Sequence, residues 1–149
     1  MNTKDVANNY LLFRARGATP VGIVVLLYDT AIESLRLAKQ AAENGRIEDR
    51  VASSNHVLLV INELSRTLDH ERGGQVAGNL DRFYSVARAR LMEANVRSDP
   101  AIFEHLLAMF CSLREAWQRV EIETAGAAAA SAAGPSLPPS ETSLAGWSA

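Results

Sequence analysis

Apolar residues return every three or four positions in four long blocks of this chain. Each block closes on glycine, proline or a short polar run. That period is helical, and no segment holds the period-two alternation of a half-buried strand. The first block opens at Thr19-Pro20 and organises the rest. Thr19 is placed to accept from the orphan N–H groups of a first helical turn. Pro20 stands at the first helical position, where its missing N–H costs nothing. At about 100° per residue, Val24, Leu27, Tyr28, Ala31, Leu35, Ala38 and Ala42 share one stripe, widened by Val21, Val25 and Ile32. Leu26 and Leu37 fall nearly opposite. They are either scattered surface leucines or part of a second contact face.

The spacing predicts four helices. The first runs from Pro20 to Asn44, with Gly45 as its C-terminal stop. The second runs from Glu48 to Glu71. Its stripe is Val57, Ile61, Leu64 and Leu68, with Leu58, Leu59 and Val60 spreading apolar surface most of the way round, and Gly73-Gly74 breaks it. The third runs from Gln75 to Val96 with Val76, Leu80, Phe83, Tyr84, Ala87, Leu91 and Ala94 on one face. Asp99 caps the fourth and Pro100 opens it; Ile102, Leu106, Met109, Phe110, Leu113 and Trp117 carry its stripe to about Glu123. Helices of similar length on short links make neighbours antiparallel, so the expected fold is an all-α, up-down-up-down four-helix bundle spanning residues 19–124.

Two flanking segments read differently. Residues 1–18 form an arm with Val6, Tyr10, Leu11 and Phe13 as apolar anchors and a helix of about two turns between Lys4 and Phe13. Alone it falls short of the roughly 12 to 15 residues an isolated helix needs, so it requires a surface to lie on. From Ala125 the chain turns to alanine, glycine, serine and proline, and residues 125–149 are expected to be disordered. Trp147 is out of character there, a short docking element or an incidental residue.

Totals narrow the function. The length of 149 residues suits one core. A net charge of −2 gives no pull toward nucleic acid or anionic lipid. No apolar run reaches the roughly 20 residues of a membrane span, and the N-terminus lacks the pattern of a secretory signal, so a cytoplasmic protein is expected. The single cysteine, Cys111, excludes an intrachain disulfide.

No catalytic, cofactor or metal site is expected. A di-metal bundle wants Glu-x-x-His on two helices, but Ser53, Thr67 and Ile102 stand three residues before His56, His70 and His105. The glycines at 73, 74 and 78 lack the Lys-Ser/Thr of a phosphate loop. Arg88, Arg90 and Arg97 read as a solvated face. What remains is a bundle with surplus apolar surface on its first two helices and a greasy arm, which suits capture of amphipathic helices in grooves. The other classes are a histidine phosphotransfer-like signalling bundle and a structural interaction protein. The first wants an exposed histidine followed by Lys and Gly, whereas Val57-Leu58-Leu59 follows His56.

Several motifs in order resemble a known family. Tyr10 precedes the Thr19-Pro20 start. Leu27-Tyr28-Asp29-x-Ala31-Ile32 resembles Leu-Tyr-Asp-Gly-Ala-Ile, with Thr30 in the glycine position. Asn55, Val60-Ile61-x-Glu63-Leu64 and Leu68-Asp69 follow. Then come Gly73-Gly74-Gln75-Val76-Ala77-x-Asn79-Leu80-x-x-Phe83-Tyr84, Glu93-Ala94-Asn95 and Leu113-Arg114-Glu115-x-Trp117. Together, over roughly residues 1–121, they resemble the FliS family, the flagellin-specific export chaperones of the bacterial flagellar (type III) secretion system. Val21-Gly22 and Gln75 depart from the family pattern.

The resemblance implies a chaperone that binds the disordered C-terminal segment of flagellin, prevents its premature polymerisation and helps bring it to an export gate component. It implies a monomer or weak homodimer when free. The partner-binding residues expected are Tyr10 as a displaceable arm anchor, Leu26, Leu59 and Val60 as groove walls, and Tyr28 as a rim or pocket residue. Asp29 and Asn79 are expected to hydrogen-bond the partner's backbone. Core packing stands as the alternative for Tyr28 and Val60, and a solvated helix face for Asp29 and Asn79.

Overall fold

The computed structural model describes residues 19–133, with side chains as far as Glu123. The arm 1–18, with Tyr10, and residues 134–149, with Trp147, lie outside the described residues. Four helices follow in order: α1 (Pro20–Glu43), α2 (Ile47–Arg66), α3 (His70–Arg97) and α4 (Pro100–Ala133). Among the described residues there is no strand.

Local chemistry sets the boundaries. The Thr19 hydroxyl accepts from the Gly22 N–H at 2.9 Å, and Pro20 takes the first helical position, as the sequence requires. At the other end of α1, Gly45 adopts φ 66°, which a side chain would resist. The Arg46 N–H then reaches the Ala41 carbonyl at 2.9 Å and seals the last turn. Asp99 caps α4 by accepting from the Ala101 N–H at 2.9 Å.

The second break differs from expectation. α2 ends at Arg66 rather than Glu71, and the Thr67 hydroxyl donates back to the Leu64 carbonyl at 2.7 Å at that end. Asp69 then accepts from the N–H groups of Glu71 and Arg72 and starts α3 five residues before Gln75. The glycine pair lies inside α3. At Gly74 the backbone leaves helical geometry (φ 50°, ψ −123°), so His70–Gly73 is one separate turn. α4 also outruns its expected end. It continues through Ala133, across the first nine residues of the segment expected to be disordered, in keeping with the high helix propensity of alanine.

The helices form a ring: α1 packs on α2 and α4, and α3 packs on α2 and α4, while α1 and α3 face each other across the diagonal. Side-chain pairs give the direction. Gly22, Asp29 and Lys39 along α1 meet Glu121, Arg114 and Glu104 along α4, so the two helices are antiparallel. Asn62 and Arg50 of α2 meet Arg88 and Asn95 of α3 in the same opposed sense. Gly22, which weakens a helix turn in isolation, has a packing role here: a Cβ would stand 2.6 Å from Glu121 Oε2. The Glu121 carboxylate supplies the negative charge that the first turn of α1 lacks.

The core follows the expected stripes. All of the α1 stripe is buried except Ala42, which packs against it half-buried. Phe103 and Leu107, left off the α4 stripe by the sequence reading, are also buried. Val76, expected inward, is 64% exposed because the Gly74 bend precedes it. At the centre Tyr28 of α1 and Tyr84 of α3 join hydroxyls across the diagonal at 2.7 Å. Phe110 stacks against Tyr28 at 5.6 Å between ring centres and against Phe83 at 5.4 Å. Burial pushes both tyrosine hydroxyls well above the usual phenol range; for Tyr28 hydrogen bonds from Tyr84 and Trp117 partly offset it.

Candidate functional site

Packing α1 between two neighbours leaves its outer ridge in solvent, flanked by a groove on either side. The ridge carries Leu26, Thr30, Glu33 and Leu37, which recur at helical spacing. Leu37 is 47% exposed and borders both grooves.

The α1–α4 groove has a volume of about 530 Å³. Leu37, Leu107, Ala108 and Cys111 form its apolar part, and Glu33, Arg36, Lys39 and Glu104 stand around it. Lys39 bonds Glu104 at 2.8 Å, and that hydrogen bond raises its ammonium above the ordinary lysine value. The α1–α2 groove, of about 370 Å³, has a different floor: Thr30, Ser34, Ala52, Ser53 and His56. There the Ser34 hydroxyl and His56 Nδ1 lie 2.5 Å apart, both residues buried. The polar pair fixes the α1–α2 register, and small residues above it leave room for an incoming side chain.

The structure sorts the expected site residues. Leu26 is half-buried on the α1 ridge. Leu59 is half-buried on α2, about one turn beyond His56, and by the Ser34–His56 register it lies level with Ala31. Asp29 lines the α1–α2 groove and receives Arg114 from α4, with Nε at 2.6 Å and a second nitrogen at 3.4 Å. Its carboxylate thus already braces α1 to α4, and Arg114 also donates to Gln118 at 2.7 Å. Asn79 is exposed on α3, a helix that does not touch α1 through its backbone, so it does not join the others.

Two expectations are corrected by burial. Tyr28 and Val60 both have 0% exposure. The Tyr28 hydroxyl is spent on Tyr84, and Val60 packs within the core, so neither offers a groove wall or rim. The solvated-face reading of Arg88 also changes: it donates to Asn62 at 2.9 Å and to Ser65 at 2.5 Å, tying α3 to α2. Arg90 and Arg97 both pair with Glu93. The sequence reading missed the Ser34–His56 floor and the charged rim of the α1–α4 groove. A signal existed, since Thr30, Ser34 and Leu37 follow helical spacing beside the apolar stripe.

The fold is an all-helical bundle with a groove on either side of one helix. A family comparison defines it further: residues 3–124 match the model of the flagellar protein FliS. The chain belongs to the FliS family. It is 33% identical over 103 residues to the flagellar secretion chaperone FliSB of Pseudomonas aeruginosa, covering 69% of this chain and 82% of that one. It is 31% identical over 104 residues to the flagellar secretion chaperone FliS of Salmonella typhimurium, covering 69% and 77%. With the Campylobacter jejuni chaperone FliS the identity is 30% over 113 residues, covering 76% and 88%. The family is one of export chaperones rather than enzymes, and no helix among the described residues is long and apolar enough to cross a membrane.

Proposed function

We propose that the chain is a cytoplasmic chaperone for the C-terminal segment of flagellin, which it holds as amphipathic helices in the grooves beside α1. The observation that carries this reading is the α1 ridge itself. Leu37 stands exposed between two grooves, one with an apolar part of Leu107, Ala108 and Cys111 and the other with small residues above the Ser34–His56 pair. A helix laid along either groove covers surface that water otherwise wets. Leu26 and Leu59 extend the apolar wall, and Asp29 offers an acceptor at the rim. Tyr28 and Val60 serve by holding the wall from behind, and Asn79 remains a contact at a distance from the ridge. The mixed charges of Arg36, Lys39, Glu43 and Glu104 give the α1–α4 groove a polar rim.

Ordering a disordered client costs about 2–5 kcal/mol of the gross interaction energy. A wrapped contact of this kind is therefore tight enough to block polymerisation and still releasable at an export gate component. Isothermal titration with a peptide of the flagellin C-terminal segment tests the reading. One-to-one submicromolar binding with a negative heat-capacity change is expected. Absence of binding overturns the flagellin assignment and leaves the fold untouched.

A further inference from the structure

A third cavity lies at the end of the bundle where α4 leaves it, and no part of the reading above uses it. Its volume is about 190 Å³, and it is lined by Val24, Leu68, Val76, Leu80, Tyr84 and Trp117 among others. The turn between α2 and α3 forms its rim, with Thr67, Asp69 and Gly73. Val76 stands at this cavity and is largely exposed, an apolar side chain with no cover among the described residues.

Chain length points to an occupant. Glu121 lies level with Gly22 at the start of α1, yet α4 runs on to Ala133, about 18 Å further at 1.5 Å per residue. Gly134 and Pro135 follow in sequence, two residue types that disfavour a continuing helix. From Ala133 back to the level of Trp117 is about 24 Å along the helix axis. Residues 134–142 contain Pro135, Pro138 and Pro139, and in an extended proline-type conformation they span about 28 Å. A chain that reverses at Gly134-Pro135 therefore delivers Leu144 and Trp147 to the cavity mouth. The segment 144–149 carries no charged side chain to be desolvated there. Those two residues, three apart, give it a bulky apolar pair in otherwise small and polar sequence. This segment also lies outside the 3–124 stretch that matches the family.

We propose that the cavity between Val24, Val76, Leu80 and Trp117 is a docking site for the tail of this chain, with Leu144 and Trp147 as its occupants. The arm 1–18, which joins the bundle at the same end, is the competing occupant.

The chain has two tryptophans, which makes the test direct. In the full-length Trp117→Phe protein, Trp147 is the sole indole. Its acrylamide quenching constant is expected to be about threefold below that of a free peptide of residues 134–149, because a filled pocket hides some 70–90% of its occupant's surface. Val76→Asp in the same background, at an exposed position the fold tolerates, is expected to restore the peptide's value. Quenching equal to the free peptide overturns the proposal. So does protection that survives Val76→Asp, or protection that appears only after residues 1–18 are deleted, which assigns the cavity to the arm. Since Phe at 117 alters the cavity wall, a companion measurement keeps Trp117. Trp147→Ala is expected to move Trp117 emission to longer wavelength, and an unchanged spectrum overturns the proposal.

Discussion

α1 and α3 face each other across the bundle and are built to different ends. α1 buries twelve of its 24 residues, and α3 buries five of 28. α1 is gripped from both sides and shows solvent only a narrow ridge. α3 leaves Val86, Met92 and Val96 exposed, the last at 82%, and bends at Gly74. Under the proposed function, the more buried helix is the one that carries the client surface. A groove needs two rigid walls, and α1 has a tightly packed neighbour on each side, whereas α3 serves as a cover that completes the core through Tyr84.

The sharpest way to break this comparison is to truncate a large apolar side chain on each helix, a buried one on α1 and an exposed one on α3. Leu35→Ala on α1, at a fully buried site, is expected to cost about 2–5 kcal/mol in denaturant unfolding. Met92→Ala on α3 is expected to stay within about 0.5 kcal/mol. Comparable losses would erase the distinction.

The diagonal contact is the next lever. Tyr28→Phe leaves the buried Tyr84 hydroxyl without its partner, an expected loss of about 1–3 kcal/mol. Adding Tyr84→Phe removes both hydroxyls, and the double variant is expected to be less destabilised than the sum of the singles, a coupling that a double-mutant cycle measures.

The same pair sets an alkaline limit. Burial raises both phenols in the folded state, so folding favours their protonated forms. Their contribution is whole below the unfolded tyrosine value of about 10 and is lost as pH rises above it. Tyrosinate absorbance for these two residues is therefore expected to appear together with unfolding rather than before it. Titration of both in the folded state would contradict their burial.

A smaller effect concerns the bend. Gly74→Ala forces a side chain onto a positive φ and is expected to cost about 1–3 kcal/mol, at the lower end if the His70–Gly73 turn simply detaches. Hydrogen exchange at residues 70–77 is expected to rise while that of α1 stays unchanged.

These differences bear on how much was legible in the residues. The α1 pattern is long, strongly periodic and bounded by Thr19-Pro20 and Gly45, so its limits and inward face follow from spacing and capping alone. The start of α3 was obscured by a competing signal: Gly73-Gly74 reads as a break, while the effective cap is Asp69, four residues earlier. The end of α4 was hidden because an alanine-rich segment satisfies both a helix and a low-complexity reading. For the site, Leu26 and Leu37 were visible as apolar residues opposite the stripe. Tyr28 lies on the inward stripe of α1, so its burial follows from spacing, whereas Val60 was not separable from groove residues by sequence, because its burial depends on which neighbour covers it. The Asp29–Arg114 and Ser34–His56 contacts join positions 85 and 22 residues apart, which periodicity within one helix does not encode.

The measurement that tests the central claim most directly compares the two faces in one titration with the flagellin C-terminal peptide. Leu37→Asp places a charge on the α1 ridge, and Met92→Asp places one on the outer face of α3, both at exposed positions. Leu37→Asp is expected to weaken binding tenfold or more, about 1.4 kcal/mol, and Met92→Asp to leave it unchanged. Equal weakening by both, or weakening by Met92→Asp alone, would contradict the assignment of the client to the grooves beside α1.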